Sequence, residues 1–287
     1  MTKKRIILII TTIFILLAGL IAFSIWSSYN NLQVNTYELD ADKLDEELRL
    51  VVIADLHEHE FGDNNEELIA QIKAQNPEII LMAGDFINSD SENVEFLYAL
   101  IGKLKDVATV CYALGNHELT YMETAETNLE EELEAAGAVV LEKEYVDIDV
   151  NGQEVRIGGM YDYAFGTNGS DEASVAKQEV KDFLTDFQNT DNFKIMLSHR
   201  PDSFIFGDAS TAWDVDLVVS GHLHGGQVVF PILGGIYGGD QGYFPEYIHG
   251  MYEKDDMYIF VTSGLGSNPK KVPRFNNRPE IAVINLY

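Results

Sequence analysis

Five short apolar runs, rich in Val, Ile and Leu, set the tightest limit on what this chain can fold into. Each run is continuously apolar instead of alternating with polar residues, which is typical of strands buried on both faces of a sheet. Amphipathic segments with helical spacing, at 66–75 and 92–104, separate the first three runs. This alternation predicts an α/β domain whose helices cover a sheet. The runs are LRLVVIA (48–54), EIILMAG (78–84), VATVCYALG (107–115), FKIMLSH (193–199) and VDLVVSGH (215–222).

Shorter patterns predict further elements. The residues on both sides of Asn151-Gly152 alternate between apolar and polar, which predicts an antiparallel hairpin with a tight turn of the primed type. Cys111 is the single cysteine, and because it lies in the third run we expect it to pack in the core. The pattern also indicates helices at 126–136 and 172–187 and strands at 257–264 and 280–287.

The N-terminus contains 21 consecutive uncharged positions, residues 6–26, directly after Lys3, Lys4 and Arg5. A helix of this length can span a bilayer, and we predict an uncleaved membrane anchor. A cleaved signal peptide and a buried core helix are the alternatives, although the apolar region of a signal peptide is usually shorter. By the positive-inside rule, residues 1–5 are expected in the cytoplasm. The rest of the chain is then expected on the extracytoplasmic side of the cell membrane.

The chain after the anchor is predicted to consist of a polar linker, 27–46, and one large domain, 47–287. The formal net charge is −28, and three of the 19 basic residues precede the anchor. The part after the anchor therefore carries 16 basic residues against 47 acidic ones. An acidic surface of this kind repels polyanions, so we expect no nucleic-acid partner.

Polar side chains of three kinds follow the five runs, at the points where the predicted strands end. Parallel strands bring their carboxyl ends to one edge of a sheet, so we expect these side chains to converge there. Asp55 and His57 are two residues apart and should point the same way, as in a strand. The motifs are Asp55-Leu56-His57, Gly84-Asp85, Gly115-Asn116-His117-Glu118, Ser198-His199 and Gly221-His222-Leu223-His224.

The chemistry of these side chains predicts metal binding. Imidazole nitrogens, carboxylates and a carboxamide oxygen suit Mn²⁺, Fe²⁺/³⁺ or Zn²⁺, and the set is too rich in nitrogen for Ca²⁺ or Mg²⁺. Five of the seven histidines of the chain lie in the motifs. The number of ligands is sufficient for two divalent ions.

In this order, D-x-H, G-D, G-N-H-E, a lone H and G-H-x-H resemble the motifs of the calcineurin-like metallophosphoesterase family. The resemblance covers residues from about 48 to 286. Residues 221–227 extend the last motif to G-H-x-H-G-G-Q, which resembles the membrane-associated subgroup of that family, as does Arg274 followed by P-E-I at 279–281. The resemblance implies a four-layer αββα sandwich, in which helices flank two mixed β-sheets, after an N-terminal transmembrane helix.

The resemblance also implies a role for each motif residue. Asp85 would bridge the two ions. His117 and Glu118 would be the catalytic residues, with His117 at the leaving group and Glu118 orienting it. Asn116 would contact substrate as well as metal. The first ion would be held by Asp55, His57 and His224, and the second by Asn116, His199 and His222.

These roles imply hydrolysis of a phosphoester by a hydroxide held between two ions. Membrane anchoring favours a phosphodiester or pyrophosphate of an envelope lipid or a nucleotide as substrate. A protein Ser/Thr phosphatase is one alternative, which the acidic charge disfavours. A non-catalytic metal-binding envelope protein is the other. An intact His117 with Glu118 argues against it, because a structural metal site does not need an unliganded histidine.

Two more regions have open interpretations. Residues 225–250 contain eight glycines and are either turns around a plain hairpin or a loop that admits a lipid-like substrate. A basic cluster near the C-terminus is either a solvated turn or, through Arg274, a contact to the substrate phosphate. Arg200 is a weaker candidate for such a contact. The apolar loop residues are Phe230, Ile236, Tyr237, Tyr243 and Phe244, and the basic cluster is Lys270, Lys271, Arg274 and Arg278.

Overall fold

The chain folds into two layers of strands between two layers of helices in the computed structural model, which describes residues 2–161, 163, 165, 166, 169–268 and 272–287. Strands β1 to β14 span, in chain order, Gln33–Leu39, Leu48–Ile53, Ile79–Ala83, Thr109–Ala113, Val139–Val140, Glu144–Val150, Gln153–Met160, Phe193–Ser198, Leu217–Ser220, Val229–Phe230, Gly234–Gly235, Gly250–Lys254, Met257–Val261 and Glu280–Leu286. Helices α1 to α8 span Lys3–Asn30, Glu66–Ala74, Glu95–Leu104, Asn116–Ala125, Leu129–Ala136, Gln178–Phe187, Asp202–Ile205 and Ala209–Ala212. Single 3₁₀ turns lie at Asp63–Asn65, Ala173–Val175, His224–Gly226 and Gly239–Gln241.

Both large sheets have six strands and mix parallel with antiparallel pairs. The first has the order β1-β14-β2-β3-β4-β5, and the second has the order β12-β13-β9-β8-β7-β6. In the first sheet β2, β3, β4 and β5 are parallel, whereas β14 is antiparallel to β2. In the second sheet β7, β8, β9 and β13 are parallel, with an antiparallel strand at each edge. The two mixed sheets predicted from the family resemblance are confirmed.

Three apolar clusters hold the layers together. The central cluster lies between the sheets and joins residues such as Leu50 of β2 to Ile195 of β8. On the outer face of the first sheet, side chains such as Ile72 and Ile101 pack from α2 and α3. On the outer face of the second sheet, Val180 and other residues of α6 do the same. Because both faces of each central strand are covered, the strands read as continuous apolar runs in the sequence.

The predicted elements are largely confirmed. All seven predicted strands are present, and the four predicted helices form α2, α3, α5 and α6 with shorter bounds. The hairpin turn is also confirmed, because Asn151 and Gly152 have φ of 56° and 89° and join β6 to β7, as a primed turn requires. Helix α4 is not predicted by the pattern, because its sequence NHELTYMETA begins with motif residues and has no apolar stripe. Cys111 is buried in β4, as expected.

The predicted linker over 27–46 is wrong. Helix α1 continues to Asn30 and buries Ser27 and Ser28 against the domain, and β1 then pairs along its whole length with β14. Strand β1 is an edge strand with one half-exposed face, so its sequence QVNTYEL is as polar as that of a linker. The domain therefore begins well before residue 47.

The N-terminal apolar stretch forms one continuous helix. At 1.5 Å per residue, the 28 residues of α1 extend for about 42 Å. The helix is long and apolar enough to cross a membrane, and its most apolar window, with a mean hydropathy of 3.0, is entirely unburied.

Candidate metal centre

Most of the predicted metal ligands lie in tight turns directly after the strands. Strand β2 ends at Ile53, so the expected strand alternation does not explain why Asp55 and His57 converge. Their backbones instead adopt left-handed conformations, in which strain of about 1–3 kcal/mol per residue is typical of functional sites. The same conformation occurs at ligands on other turns. The φ angles are 54° at Asp55, 49° at His57, 57° at Asp85, 70° at His222 and 46° at His224.

Two glycines allow the turns to approach each other. A Cβ added at Gly115 would overlap Oδ1 of Asp85, and a Cβ at Gly221 would lie 2.7 Å from Oδ2 of Asp55. Any side chain at either position would therefore displace a carboxylate. The glycines of the G-N-H-E and G-H-x-H motifs are required by this close packing.

The turns bring the predicted ligands into three overlapping groups. Within each group, one ligand atom from every residue lies within 4.8 Å of the others. Asp85 belongs to two of the groups and therefore lies between the two predicted ion positions. Its Oδ2 is 3.1 Å from Nε2 of His199 and 3.9 Å from Nε2 of His57. The groups are Asp55, His57 and His224; His57, Asp85 and His117; and Asp85, His199 and His222.

The donor atoms fit divalent cations. Among the described residues, Nε2 of His57 and Oδ1 of Asn116 are buried without any hydrogen-bond partner. Leaving a buried polar atom unsatisfied costs about 1–3 kcal/mol, and coordination of a cation would remove that cost. The orphaned Asn116 oxygen lies where a ligand of the second ion is predicted.

Hydrogen bonds on the outer side of the imidazole rings fix their orientation. Nδ1 of His199 is 2.7 Å from the carbonyl oxygen of Ala83, and Nδ1 of His57 is 3.0 Å from Oδ1 of Asn88. Nδ1 of His224 lies 3.2 Å from the carbonyl oxygen of Gly266. In each case Nε2 faces the cluster, which is the arrangement found around metal-binding histidines. Asn88 is a functional residue that the motifs do not reveal, because its contact depends on the turn after β3.

The cluster carries strongly shifted pKa values. Burial raises the pKa of Asp55 to about 7, and the charge of Asp85 adds to this. Burial lowers the pKa of His57 to about 4. Burial also opposes the charge of Asp85, but His199, His57 and His117 hold its pKa well below the usual range. Burial opposes the charge of His199 as well, but Asp85 raises the pKa of His199 to about 9. Two buried carboxylates therefore hold positive charge in the cluster, which a bound cation would supply in place of the His199 proton.

His117 is held with its reactive nitrogen towards the cluster. Its Nδ1 accepts a hydrogen bond from the backbone N–H of Ser89 at 2.9 Å. The neutral ring therefore carries its proton on Nε2, which lies 4.0 Å from Oδ2 of Asp85. This arrangement presents a proton donor to the cluster.

Glu118 stabilises the turns, because its carboxylate is hydrogen-bonded to backbone N–H groups on both of them. Its buried carboxylate accepts hydrogen bonds from the backbone N–H groups of Asp85, Phe86 and Gly115, at 2.7–2.9 Å, and from the hydroxyl of Tyr112. It thereby ties the turn after β3 to the start of α4. The predicted catalytic role of Glu118 is corrected to a positioning role.

Arg274 is predicted to contact substrate, and its position contradicts this role. The side chain is completely buried, and its guanidinium donates to the carbonyl oxygens of Ser263, Gly266 and Asn277 at 2.8–3.1 Å. Further contacts to Gly264, Arg278 and the side chain of Asn277 occupy its remaining donors. Arg274 therefore fixes the C-terminal loop. Lys270 and Lys271 of the basic cluster lie outside the described residues.

The last turn of α1 is connected to the predicted metal ligand His224 through two hydrogen-bonded paths. Ser28 Oγ accepts from the backbone N–H of Asn277, whose side-chain amide donates to the carbonyl oxygen of His224 at 2.6 Å. The hydroxyl of Tyr29 accepts from the N–H of Arg274, which in turn holds the carbonyl of Gly266 beside His224. The sequence pattern does not predict either path.

A cleft of about 680 Å³ opens beside the cluster. Asp85, Asn116 and His117 lie in its wall, and Arg200 supplies a cation there. Apolar and aromatic residues, most of them from the glycine-rich stretch, also line the cleft. These are Val228, Ile236, Tyr237 and Tyr243, together with Val272.

The chain is similar in sequence to a known family and to several known proteins. The model of the family described as calcineurin-like phosphoesterase matches residues 48–226, which contain every predicted metal ligand. The uncharacterized metallophosphoesterase Cj0846 of Campylobacter jejuni is 28% identical over 274 residues, which cover 92% of this chain and 67% of that protein. The phosphodiesterase YaeI of Escherichia coli is 26% identical, over 83% of this chain and 82% of that protein. The solved structure of the Thermus thermophilus protein TT1561 has a TM-score of 0.45 and 12% identity, over 76% of this chain and 90% of that one.

Proposed function

The chain belongs to the calcineurin-like phosphoesterase family, and from this premise we propose that it is a two-metal hydrolase of phosphodiester or pyrophosphate bonds. Asp85 carries the proposal, because its carboxylate groups with His57 on one side and with His199 and His222 on the other. Three ligands on each side of a shared carboxylate match the needs of two ions. Mn²⁺, Fe²⁺/³⁺ and Zn²⁺ are all compatible with the donor set.

Bound ions would lower the pKa of a water molecule and neutralise charge on the phosphoryl oxygens. His117 supplies the proton that the departing alkoxide needs, from the Nε2–H that its contact with Ser89 leaves facing the cluster. Glu118 maintains the distance between Asp85 and the start of α4 during turnover. Arg200, which lines the cleft, takes the phosphate contact predicted for Arg274.

Two features favour a small or lipid-linked diester over a phosphoprotein. The domain is strongly acidic, so it does not attract a negatively charged protein segment. The cleft has an apolar wall, formed by residues such as Ile236 and Tyr237, which suits the apolar part of an envelope lipid or the base of a nucleotide. A protein Ser/Thr phosphatase would instead need a basic groove.

We further propose that α1 anchors the protein in the cell membrane with the domain on the extracytoplasmic side. The length and apolar surface of α1 support the anchor, and the basic residues Lys3, Lys4 and Arg5 support the orientation.

The full-length chain in detergent, reconstituted with Mn²⁺, provides the test. We expect turnover of bis-(p-nitrophenyl) phosphate that exceeds turnover of the monoester, and its loss in Asp85→Ala. Asp182→Ala, on the exposed face of α6, is the matched control and should retain full activity. Absence of metal-dependent turnover would refute the proposal, and a preference for the monoester would favour the phosphatase alternative.

A further inference from the structure

Large apolar side chains are exposed on the cleft-lining residues Tyr243 and Val272 and on segments that neighbour the cleft lining in the chain. The turn between β10 and β11, residues 231–233, is the centre of this patch, and Ile232 at its tip is fully exposed. Soluble surfaces normally carry such residues singly, and a contiguous group indicates an interaction site. We call this group the apolar rim. Its members are Phe230, Ile232, Leu233, Tyr243, Phe244 and Val272.

The sheet topology places the start of the domain at the same edge as the cleft. Strand β14 is antiparallel to β2, so it begins where β2 ends, beside Asp55. Strand β1 is parallel to β14, and its first residue, Gln33, pairs with Glu280 at the start of β14. Helix α1 therefore reaches the domain at the edge that carries the metal ligands.

Direct contacts join α1 to the base of the turn. The backbone N–H of Asn276 donates to Oγ of Ser24 at 2.9 Å, and its side-chain amide donates to the carbonyl oxygen of Val229 at 3.2 Å. Leu20 and Phe23 of α1 line the same cavity, of about 520 Å³, as both ends of the turn. The apolar surface of α1 thus reaches both ends of the turn that carries Ile232 and Leu233.

The conformation of Ile232 is unfavourable in water for two separate reasons. Its side chain is fully exposed, and its φ of 83° is one that β-branched residues rarely adopt. A glycine or asparagine would remove both costs. The ring of Phe230 packs on Phe275, with centroids 5.8 Å apart, and this contact supports the base of the turn. An apolar residue at the tip is favourable if its surroundings are apolar. Residues 20–24 of α1 contact the base of the turn and belong to the proposed membrane anchor, so the bilayer is the apolar phase beside it.

We propose that the apolar rim inserts into the bilayer leaflet from which α1 emerges, so that the metal cleft opens at the membrane surface. The inference rests on the proposed anchoring of α1 and deepens the proposed function. It assigns the substrate class as a phosphodiester that is still seated in the bilayer, with its apolar part against Val228, Ile236 and Tyr237. The contact is apolar and not electrostatic, because the acidic domain gains nothing from anionic headgroups.

Site-specific fluorescence of the full-length chain in phosphatidylcholine vesicles tests the proposal. Ile232→Cys places a polarity-sensitive label on the turn, and Ala74→Cys places it on α2 before the start of β3, at the opposite edge of the sheet. Cys111 is fully buried, so the unmodified chain gives the labelling background. We expect the label at residue 232 to be blue-shifted and protected from iodide, and the label at residue 74 to be quenched.

A charged neighbour provides the second arm. Leu233→Asp combined with Ile232→Cys should restore iodide quenching, because a carboxylate opposes insertion into the hydrocarbon. Equal quenching at residues 232 and 74 would overturn the proposal, as would protection that survives Leu233→Asp.

The same labelled proteins are assayed with soluble bis-(p-nitrophenyl) phosphate and Mn²⁺. Metal-dependent turnover without protection at residue 232 would refute the insertion and leave the hydrolase intact. Protection without turnover would support the insertion and refute the hydrolase.

Discussion

Two buried carboxylates, Glu280 at the start of β14 and Asp55 in the turn after the adjacent strand β2, have pKa values that are shifted in opposite directions. Burial opposes the charge of Glu280, but hydrogen bonds and the charge of His249 hold its pKa at about 2. Burial raises the pKa of Asp55 to about 7. Both carboxylates are completely inaccessible to water, so the difference does not come from the degree of burial. The number of donors explains the difference. Glu280 accepts hydrogen bonds from Asn35, Tyr37, His249, Thr262 and Ser263, whereas Asp55 accepts only from the backbone N–H of His222 among the described residues.

The comparison separates a structural site from a functional one. The charge of Glu280 is compensated entirely by the chain, so this region is complete without a ligand. The carboxylate of Asp55 and the orphaned atoms of His57 and Asn116 require a partner that the chain does not supply. Two buried carboxylates therefore differ in whether they need a bound cation, because different numbers of hydrogen-bond donors surround them.

The largest effect is expected from Asp55→Asn, which removes the uncompensated charge. Metal content and turnover should fall below detection, because a ligand of the first ion is lost. The metal-free variant should be more stable than the parent, by as much as roughly 4 kcal/mol at pH 7. Since the pKa of about 7 lies above the usual 3.8, this gain should disappear as the pH falls towards 4. Urea unfolding in the presence of a chelator measures this gain in the free energy of unfolding. Equal stability of the variant and the parent at pH 7 would contradict the interpretation that the charge of Asp55 is uncompensated.

Substitution of His117, in the cluster with Asp55, should mainly affect turnover, whereas substitution of His249, beside Glu280, should mainly affect stability. His117→Ala is expected to lower diester turnover about 10²- to 10⁴-fold, because the proton donor is lost. The loss should be smaller for esters with acidic leaving groups, which need less protonation. His249→Ala removes a partner of Glu280 and should lower thermal stability while turnover is retained. Equal losses of turnover in both variants would show that His117 has no special role.

Glu280→Gln is expected to destabilise the fold by about 3 kcal/mol at neutral pH. The folded pKa of about 2 lies below the usual 4.5, so the contribution of Glu280 is present above pH 4.5 and is lost as the pH falls towards 2. The variant should therefore show a flatter acid limb in unfolding experiments. Its metal content should match that of the parent, and a loss of metal would indicate that the two regions are coupled.

The smallest effect concerns the path from α1 to His224. Asn277→Ala removes the amide that holds the carbonyl oxygen of His224, and metal affinity should fall by about tenfold. Asn35→Ala, which removes a similar amide from Glu280, is the matched control and should leave metal affinity unchanged. Calorimetric titration of the metal-free proteins compares the two, and an equal affinity change would remove the proposed path.

The sequence predicted the buried strands and the convergence of the motif side chains well, and it predicted polar segments poorly. Continuous apolar runs mark central strands because both of their faces are covered. Strand β1 has a half-exposed face and resembles a linker, and α4 has no apolar stripe. Arg274 was recognisable as a motif residue, but its surroundings were not. A basic side chain near a phosphate site has the same sequence signature whether it faces the cleft or the core.

By itself, the sequence determined which strands form the centre of the fold and which side chains converge at their ends, because apolar periodicity and ligand type are local properties. Only the tertiary structure decided that Glu118 and Arg274 position other residues, that Asp55 is uncompensated while Glu280 is not, and that α1 is joined to the cleft. These properties depend on contacts between distant positions, such as Ser28 and Asn277, which are 249 residues apart. Burial and hydrogen-bond donors at such contacts are created by folding, and no spacing along the chain encodes them.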